Sequence, residues 1–324
     1  MDTGSHLLFG ATLAGLALAD PAVAAHAELQ HAVLAAALLG SHAPDFDSVM
    51  RLRGPYAYIR NHRGITHSLP APLVWAPLLG LPIAWLFGAQ AWSGTVMLWT
   101  FIAVCFHIIL DLFNAYGVQC LRPFTRKWLH LDALCLFDPY LFAAHGMAVL
   151  LWLFDYSRAT AVFEFVYAMT GAYLLWRLVV HRKVLAKLCA YYRTEASQVT
   201  MLPTFLGTAW QFVIDRGDEY MTGYYQFGRV NEAAYLPKAK PDSLTEAAKA
   251  TMASEGVRAF HRFSDRIHVN VQDLVDGYLV TWSDVRFWHH RRMPFSAAVT
   301  LDRNLNVLSD RLAWNKKSWE PPFV

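Results

Sequence analysis

Polar side chains interrupt residues 101–117, an apolar run that is otherwise typical of a membrane span. His107, Asp111 and Asn114 follow one another at intervals of four and then three residues, so a helix places them on one face. An imidazole and a carboxylate on one helical face are ligands that a metal ion accepts. Because an ionisable group inside a span is costly, this pattern indicates a functional site.

Three further polar clusters lie in the first third of the chain. They are His6, the segment 41–47 with sequence Ser-His-Ala-Pro-Asp-Phe-Asp, and the segment 61–68 with sequence Asn-His-Arg-Gly-Ile-Thr-His-Ser. Taken singly, each cluster has an ordinary explanation: a surface histidine, a helix exit with an Asx turn, or the basic flank of a span, while the fourth cluster, 107–114, can be an interhelical hydrogen-bond network. Because all four are expected at one membrane face, we interpret them as a single site for a divalent metal ion.

The composition indicates a membrane protein with a soluble extension. The chain of 324 residues is 55% hydrophobic and 16% charged, against about 25% charged for an ordinary soluble protein. Polar residues are sparse before residue 180 and dense afterwards. We therefore predict a membrane all-α bundle of four to six helices over residues 1–190, followed by a small α+β domain with an antiparallel sheet over 191–324. A net charge of +3 gives no reason to expect a nucleic-acid partner.

The expected spans are residues 69–89, 92–113, 139–154 and 160–180. Two earlier apolar stretches, 7–19 and 29–40, are shorter than the roughly 20 residues of a full span, and either cross as a hairpin or pack as core helices. Lys and Arg concentrate in the loops 51–63 and 122–127 and after the last span. The positive-inside rule then predicts a multi-pass protein of the inner (cytoplasmic) membrane with both termini in the cytoplasm.

The carboxy-terminal part has strand and turn patterns. Residues 208–214 and 220–227 are rich in aromatic and β-branched types around the turn 215–218, which predicts a hairpin. Ser243 with Glu246 predicts a capping box that opens a helix. Further strands are expected over 267–271, 277–287 and 295–301, with a turn at 302–306.

On these motifs the chain resembles the bacterial inner-membrane metal-dependent hydrolases of YdjM-like type, also described as LexA-binding membrane-associated hydrolases. The hallmarks of that family are an amino-terminal histidine and the patterns H-x-P-D-x-D, H-R-G-x-T-H-S and H-x-x-x-D. Here they are His6 and the segments 42–47, 62–68 and 107–111. The resemblance covers about residues 1–180 and implies a metal-dependent hydrolase whose substrate is open.

The chemistry of the side chains predicts a role for each residue of these motifs. We expect one or two divalent ions as cofactors, with zinc and manganese as the leading candidates. Asp47 or His62 is expected to transfer a proton, and Arg63 to neutralise an anionic transition state. Ser68 and Thr66 are expected as supporting donors or a helix cap, and Asn114 is expected to orient Asp111. The expected metal ligands are His6, His42, Asp45, His67, His107 and Asp111.

Two functions remain open at this stage. The first is hydrolysis of a phosphoester or lipid-linked substrate at the cytoplasmic face, with membrane lipid as the immediate partner. The second is a non-catalytic metal-binding membrane protein that serves transport, structure or the anchoring of an unidentified regulatory protein. Only His145 and Glu164 add ionisable groups well inside an expected span, and they extend no path across the bilayer, which favours a site over a conduit.

Overall fold

The computed structural model describes residues 1–155, 159–205, 207–289 and 292–314. The chain divides into two compact units, the first formed by Met1–Ser48 with Asn61–Val179 and the second by Val49–Arg60 with Val180–Val324. Helices dominate the chain up to residue 192, and the second unit carries all the described strands. The helices before the first strand are α1 (Thr3–Leu16), α2 (Pro21–Ala25), α3 (Ala27–Gly40), α4 (Pro55–Asn61), α5 (Ala71–Leu86), α6 (Ser93–Leu112), α7 (Pro139–Phe154) and α8 (Ala159–Tyr192).

Caps and a small residue determine where these helices begin and how closely they pack. The Asp2 carboxylate accepts a hydrogen bond from the Ser5 backbone and starts α1, as expected for an N-cap. Asp138 caps α7 in the same way, with proline at the first helical position. At the end of α3, a Cβ on Gly40 would lie 3.0 Å from the Thr100 carbonyl. Glycine therefore lets the end of α3 approach α6 closely.

The core of the first unit is centred on α3, which packs against α1, α5 and α6. Leu29, Ala32, Val33, Ala36 and Ala37 of this helix are all fully buried. Small alanine side chains allow the neighbouring helices to come close to one another. This packing brings α6 beside the segment that follows α3, which carries the predicted acidic ligands.

Two described helical segments are long and apolar enough to cross a membrane, Gln90–Leu112 and Thr160–Tyr192, and there are three if the bent pair Tyr56–His67 and Ala71–Leu86 forms one span. The apolar helices Thr3–Ala19, Ala27–Gly40 and Pro139–Phe154 are shorter. The predicted span 139–154 is thus a helix of 16 residues. At 1.5 Å per residue it is about 24 Å long, less than the roughly 30 Å hydrocarbon core.

The second unit contains two antiparallel sheets, each of four strands with neighbours in chain order. The fold class expected from the sequence, a helical membrane part followed by an antiparallel-sheet domain, is confirmed, although the sequence indicated one sheet where the structure has two. The first sheet is β1 (Val199–Pro203), β2 (Ala209–Asp215), β3 (Glu219–Gln226) and β4 (Arg229–Pro237). The second is β5 (Ile267–Leu274), β6 (Gly277–Asp284), β7 (Phe295–Asp302) and β8 (Val307–Trp314), preceded by α9 (Glu246–Thr251) and α10 (Glu255–His261).

The local expectations for this unit hold with two corrections. The hairpin of β2 and β3 turns where predicted, and Asp215 accepts a hydrogen bond from Gly217, whose φ is +89°. The helix α9 is capped by Thr245, not Ser243, because the Thr245 backbone is extended and its hydroxyl accepts from the Ala248 N–H. The strand predicted over 277–287 ends at Asp284, since that side chain caps a 3-10 turn over Val285–Phe287.

Candidate metal centre

Three elements, the helix α6 and two 3-10 segments, bring the predicted site residues together. His107 and Asp111 lie one turn apart on α6, and both are buried. Asp45 and Asp47 lie on the 3-10 segment Ala43–Arg53, directly after α3. His67 ends a second 3-10 turn, Ile65–His67, just before α5. The side chains thus come from positions far apart in sequence.

Four of these side chains form what we call the inner group: Asp45, His67, His107 and Asp111. One ligand atom from each lies within 4.8 Å of the other three. The two Nε2 atoms of His67 and His107 are 3.3 Å apart. Asp111 Oδ2 is 3.4 and 3.5 Å from them, and Asp45 Oδ1 is 3.7 Å from each.

These separations fit one divalent ion. Bonds of about 2.0–2.1 Å to a tetrahedrally coordinated ion place neighbouring ligand atoms about 3.3–3.4 Å apart. Asp45 Oδ1 and Asp111 Oδ2 are both buried, and neither has a hydrogen-bond partner among the described residues. Buried carboxylate oxygens are normally paired, so their convergence on two imidazole nitrogens points to a cation between them.

Hydrogen bonds outside the inner group fix both imidazoles in the tautomer that a metal ligand needs. His107 Nδ1 lies 2.7 Å from the Ser41 carbonyl, and because a carbonyl only accepts, this nitrogen carries the proton. His67 Nδ1 lies 3.0 Å from the Thr66 hydroxyl, which itself donates to Asp47 Oδ2 at 2.9 Å. The Thr66 oxygen is therefore free to accept from His67. Both Nε2 atoms then direct lone pairs into the group.

The second oxygen of Asp111 is surrounded by cationic and polar groups. Arg63 Nη2 donates to Asp111 Oδ1 at 3.1 Å, and His6 Nε2 lies 3.4 Å from the same atom. The amino group of Met1 also contacts it. Asp111 is fully buried, and these neighbours compensate its charge while its other oxygen faces the inner group.

The sequence led us to expect that the Arg63 charge would be available to a transition state, but in the structure Arg63 is paired with Asp111. Arg63 is 5% exposed, and its guanidinium donates to Asp111 and to the Gly117 carbonyl. Its backbone has a left-handed φ of +58°, and its N–H donates to Asp47. This conformation turns the side chain inward, toward the protein carboxylate.

Asp47 connects the segment after α3 to the loop that carries His62 and His67. Its oxygens accept from His62 Nδ1 at 2.8 Å, from the Arg63 backbone N–H at 2.9 Å and from the Thr66 hydroxyl at 2.9 Å. Burial opposes ionisation, but the hydrogen bond from His62 and the nearby imidazoles keep the pKa of Asp47 below its usual value. Asp45, Asp47 and His62 also place one ligand atom each within 4.8 Å of the others, and we call them the outer group.

Two predicted ligands lie in neither group. His6 is 1% exposed and stacks on the His107 ring, with centroids 3.7 Å apart, so it packs against a member of the inner group. The His42 ring packs against Phe46 in a T-shaped arrangement, with centroids 5.8 Å apart. Its Nδ1 is buried without a hydrogen-bond partner in the described part of the chain. Although His42 precedes Asp45 by only three residues, it therefore does not share the position of Asp45 in the two groups.

Two of the three predicted supporting residues, Ser68 and Asn114, act on the backbone. The Ser68 hydroxyl donates to the Ile65 carbonyl, which closes the turn that carries His67. The Asn114 amide donates to the Leu110 carbonyl, and no hydrogen bond joins it to the Asp111 carboxylate within the ranges that the structure describes. Asn114 therefore does not orient Asp111 through its side chain. Sequence reasoning missed the Ser41 carbonyl, because a backbone acceptor has no signature in the side chains.

A bundle of apolar helices with a buried histidine and carboxylate cluster defines a class of membrane protein with a candidate metal centre. The model of the YdjM inner membrane protein family matches residues 1–184, and the chain belongs to this family. The model of the YfhP C-terminal alpha/beta plait domain matches residues 246–320, which include the second sheet. With the apolar helices, this membership indicates a multi-pass protein of the inner membrane.

A relative is similar over nearly the whole chain. The uncharacterized protein YfhP of Bacillus subtilis (strain 168) is 33% identical over 314 residues, which cover 97% of this chain and 95% of that protein. No solved structure matches the chain. The likeness therefore extends across both the helical part and the sheet domain.

Proposed function

We propose that this protein is a membrane-bound metal-dependent hydrolase that cleaves a phosphoester or lipid-linked substrate at the cytoplasmic face of the membrane. The convergence of two imidazole nitrogens and two unpaired carboxylate oxygens in the inner group carries this proposal. Zinc or manganese suits a site of imidazole and carboxylate ligands. The family resemblance described above points to the same class of reaction.

Asp45, His67, His107 and Asp111 would hold the ion, with Arg63 and His6 beside the outer oxygen of Asp111. When bound, a divalent ion polarises a phosphoryl oxygen and makes water a better nucleophile. The side chains around it then have to orient the ligands and move a proton.

His62 is the proton-transfer group in this proposal. Its Nδ1 donates to Asp47 Oδ1 at 2.8 Å, which leaves Nε2 as the basic nitrogen. The His62 side chain is 25% exposed, so a proton can pass from it to solvent. Asp47 is then the group that orients His62, in the way that a buried carboxylate fixes a catalytic imidazole.

The outer group offers an alternative use of the same side chains. Asp45 belongs to both groups, so a second ion held by Asp45, Asp47 and His62 would lie next to the first. Two ions about 4 Å apart would clamp the attacking and departing oxygens of a phosphoester. The measured number of ions per chain decides between one centre and two.

The experiment is elemental analysis of the full-length protein purified in detergent, together with assays of phosphoester and phospholipid hydrolysis. We expect about one or two divalent ions per chain, their loss in His107→Ala and Asp111→Ala, and their retention in the control His268→Ala, which changes a half-buried histidine of β5 in the other unit. Asp45→Asn and His67→Ala should abolish hydrolysis. His62→Gln should keep the ion of the inner group and lower the hydrolysis rate by about 10²–10⁴-fold.

Full metal retention in both α6 variants would reject the ligand assignment. A metal-loaded wild-type protein with no hydrolysis of any phosphoester or lipid would instead favour a non-catalytic metal-binding protein. The cytoplasmic orientation rests on the basic loops. A reporter fused after residue 324 checks it, because reporter activity on the other side of the membrane would contradict it.

A further inference from the structure

The loop between α6 and α7 packs against the loop that carries His62 and His67. The Gln119 backbone N–H donates to the Arg63 carbonyl at 3.0 Å, and the Leu69 N–H donates to the Cys120 carbonyl at 2.8 Å. These bonds bring Arg122 to Gly64. A Cβ on Gly64 would lie 3.5 Å from Arg122 Nη1 and 3.6 Å from its Cζ.

Gly64 is therefore the residue of the metal-site loop that lies beside the Arg122 guanidinium. It follows Arg63 directly, and its carbonyl accepts from the His67 backbone N–H at 3.3 Å. Its φ of −94° and ψ of −107° lie outside the regions that other residue types favour, and a Cβ here would lie 2.9 Å from the Asn61 carbonyl, so the backbone of this turn itself requires glycine. A larger side chain at residue 64 would occupy the space in front of Arg122.

Arg122 is partly buried, and no carboxylate in the described part of the chain lies against it. Its Nε is buried without a hydrogen-bond partner, and no carboxylate within the described ranges forms an ion pair with its guanidinium. Burial and the neighbouring charge of Arg126 lower the pKa of Arg122. By contrast, Arg63 in the same loop pair is matched to Asp111. A partly desolvated cation without a counter-ion is unfavourable. We therefore expect an anion from outside the chain to bind beside Arg122.

We propose that Arg122 binds a phosphate-type oxyanion of the substrate next to the inner group. This inference rests on the proposed function, because it names the anionic class to which the hydrolysed substrate belongs. The planar guanidinium presents paired N–H groups that match two oxygens of a phosphate. In this proposal Arg122 neutralises the anionic substrate, a role that we had expected for Arg63 from the sequence.

The phosphate can belong to a lipid headgroup or to a soluble phosphoester. The tip of the same loop carries Phe124, which is 85% exposed, and Leu121, which is 38% exposed. These apolar side chains next to a cation are suited to the boundary between headgroups and acyl chains. A binding experiment with both forms of phosphate distinguishes the two sources.

The test compares Arg122→Gln and Arg122→Lys with the control Lys127→Gln in the full-length detergent-purified protein. Lys127 is an exposed cation of the same loop, so both Gln variants lose one positive charge there. Titration calorimetry in the presence of a chelator measures binding of inorganic phosphate and of dihexanoyl phosphatidate without any contribution from metal. Loss of a charged hydrogen-bond partner weakens binding by about 10-fold to 150-fold.

We expect this loss in Arg122→Gln for at least one of the two probes, a smaller loss in Arg122→Lys, and binding within about twofold of wild type in Lys127→Gln. Tighter binding of phosphatidate than of inorganic phosphate would identify a lipid headgroup, and equal binding a soluble phosphoester. Equal affinities in Arg122→Gln and Lys127→Gln, or no binding of either probe by the wild-type protein, would overturn the proposal.

Metal content measured on the same protein preparations before the chelator is added separates this inference from the proposed function. Arg122→Gln should contain as much metal as wild type, since Arg122 is not among the ligands. Metal-loaded protein whose phosphate binding ignores Arg122 would contradict only the oxyanion site. Protein that binds phosphate through Arg122 but never binds metal would contradict only the hydrolase.

Discussion

The two parts of the molecule bury charged side chains in opposite ways. In the sheet domain, Asp284 is fully buried and Arg286 is 3% exposed. Arg286 Nε donates to both Asp284 oxygens at 3.1 and 3.0 Å, and Nη2 donates to Oδ2 at 2.7 Å and to the Phe263 carbonyl at 3.0 Å. Each member of this pair finds its counter-charge and hydrogen bonds within the chain, so the pair requires no external ligand.

The inner group leaves its facing atoms without partners. Asp45 Oδ1 and Asp111 Oδ2 have no hydrogen-bond partner among the described residues, and the histidine Nε2 atoms nearest to them carry lone pairs. Buried charges that satisfy one another need no external ligand, whereas buried acceptors that converge indicate a missing cation. Burial and charge alone do not separate a structural ion pair from a ligand site; the direction of the unpaired atoms does.

The largest effect that tests this contrast is expected in the sheet domain. Asp284→Ala leaves the Arg286 guanidinium buried without its carboxylate and should lower the free energy of unfolding by about 3–5 kcal/mol. Thermal unfolding followed by tryptophan fluorescence measures it, because Trp282 lies on the same strand, β6. The control is Asp273→Ala, which removes an exposed partner of Arg303 and should leave the midpoint nearly unchanged. Equal shifts in the two variants would mean that the buried pair is not structurally important.

Removing metal should destabilise the helical part by a somewhat smaller amount. An ion present at about 100 times its dissociation constant adds about 2.7 kcal/mol to stability, so a chelator should lower the unfolding midpoint of the wild-type protein. Asp111→Asn should make the protein insensitive to the chelator, whereas Asp284→Ala should keep the sensitivity. A wild-type unfolding midpoint that stays constant on chelation would mean that the inner group holds no metal ion and is a structural cluster like the Asp284 and Arg286 pair.

The smallest effect is expected from the residue that orients His67. Thr66→Val removes the hydroxyl between His67 Nδ1 and Asp47 and should weaken metal affinity by about 10-fold to 100-fold. Thr66→Ser keeps the hydroxyl and should restore affinity, which a purely structural role of the methyl group would not predict. Thr100→Val is the matched control, since that buried hydroxyl donates to the Val96 carbonyl of its own helix, α6. Competition with a fluorescent metal indicator gives the affinities.

Several features of the fold follow from local sequence because local forces determine them. The apolar runs, the turn at 215–218 and the strands around it were predictable from periodicity and turn residues. The predicted capping residue of α9, Ser243, was wrong. Ser243 and Thr245 are both competent caps, and only the backbone conformation selects Thr245. The division of the strands into two sheets was also beyond reach, because pairing between strands depends on packing that no single segment contains.

The candidate site shows the same limit at the level of single side chains. The spacing of His107 and Asp111 puts both on one face of a helix, and this follows from helical geometry alone. The exclusion of His42 from both groups and the pairing of Arg63 with Asp111 depend on how two loops pack. The sequence had treated Arg122 only as part of a basic loop.

The sequence by itself determined which residue types are available, where the apolar segments lie, and that imidazoles and carboxylates occur at helical or turn spacing within them. Those properties depend on the order of residues and on interactions over a few positions. Only the tertiary structure decided which oxygen of Asp111 faces the inner group, which tautomer each histidine has, and which arginine lacks a counter-ion. These outcomes depend on contacts between segments distant in the chain, and hydrogen bonds form only where packing brings donor and acceptor within about 3 Å of each other.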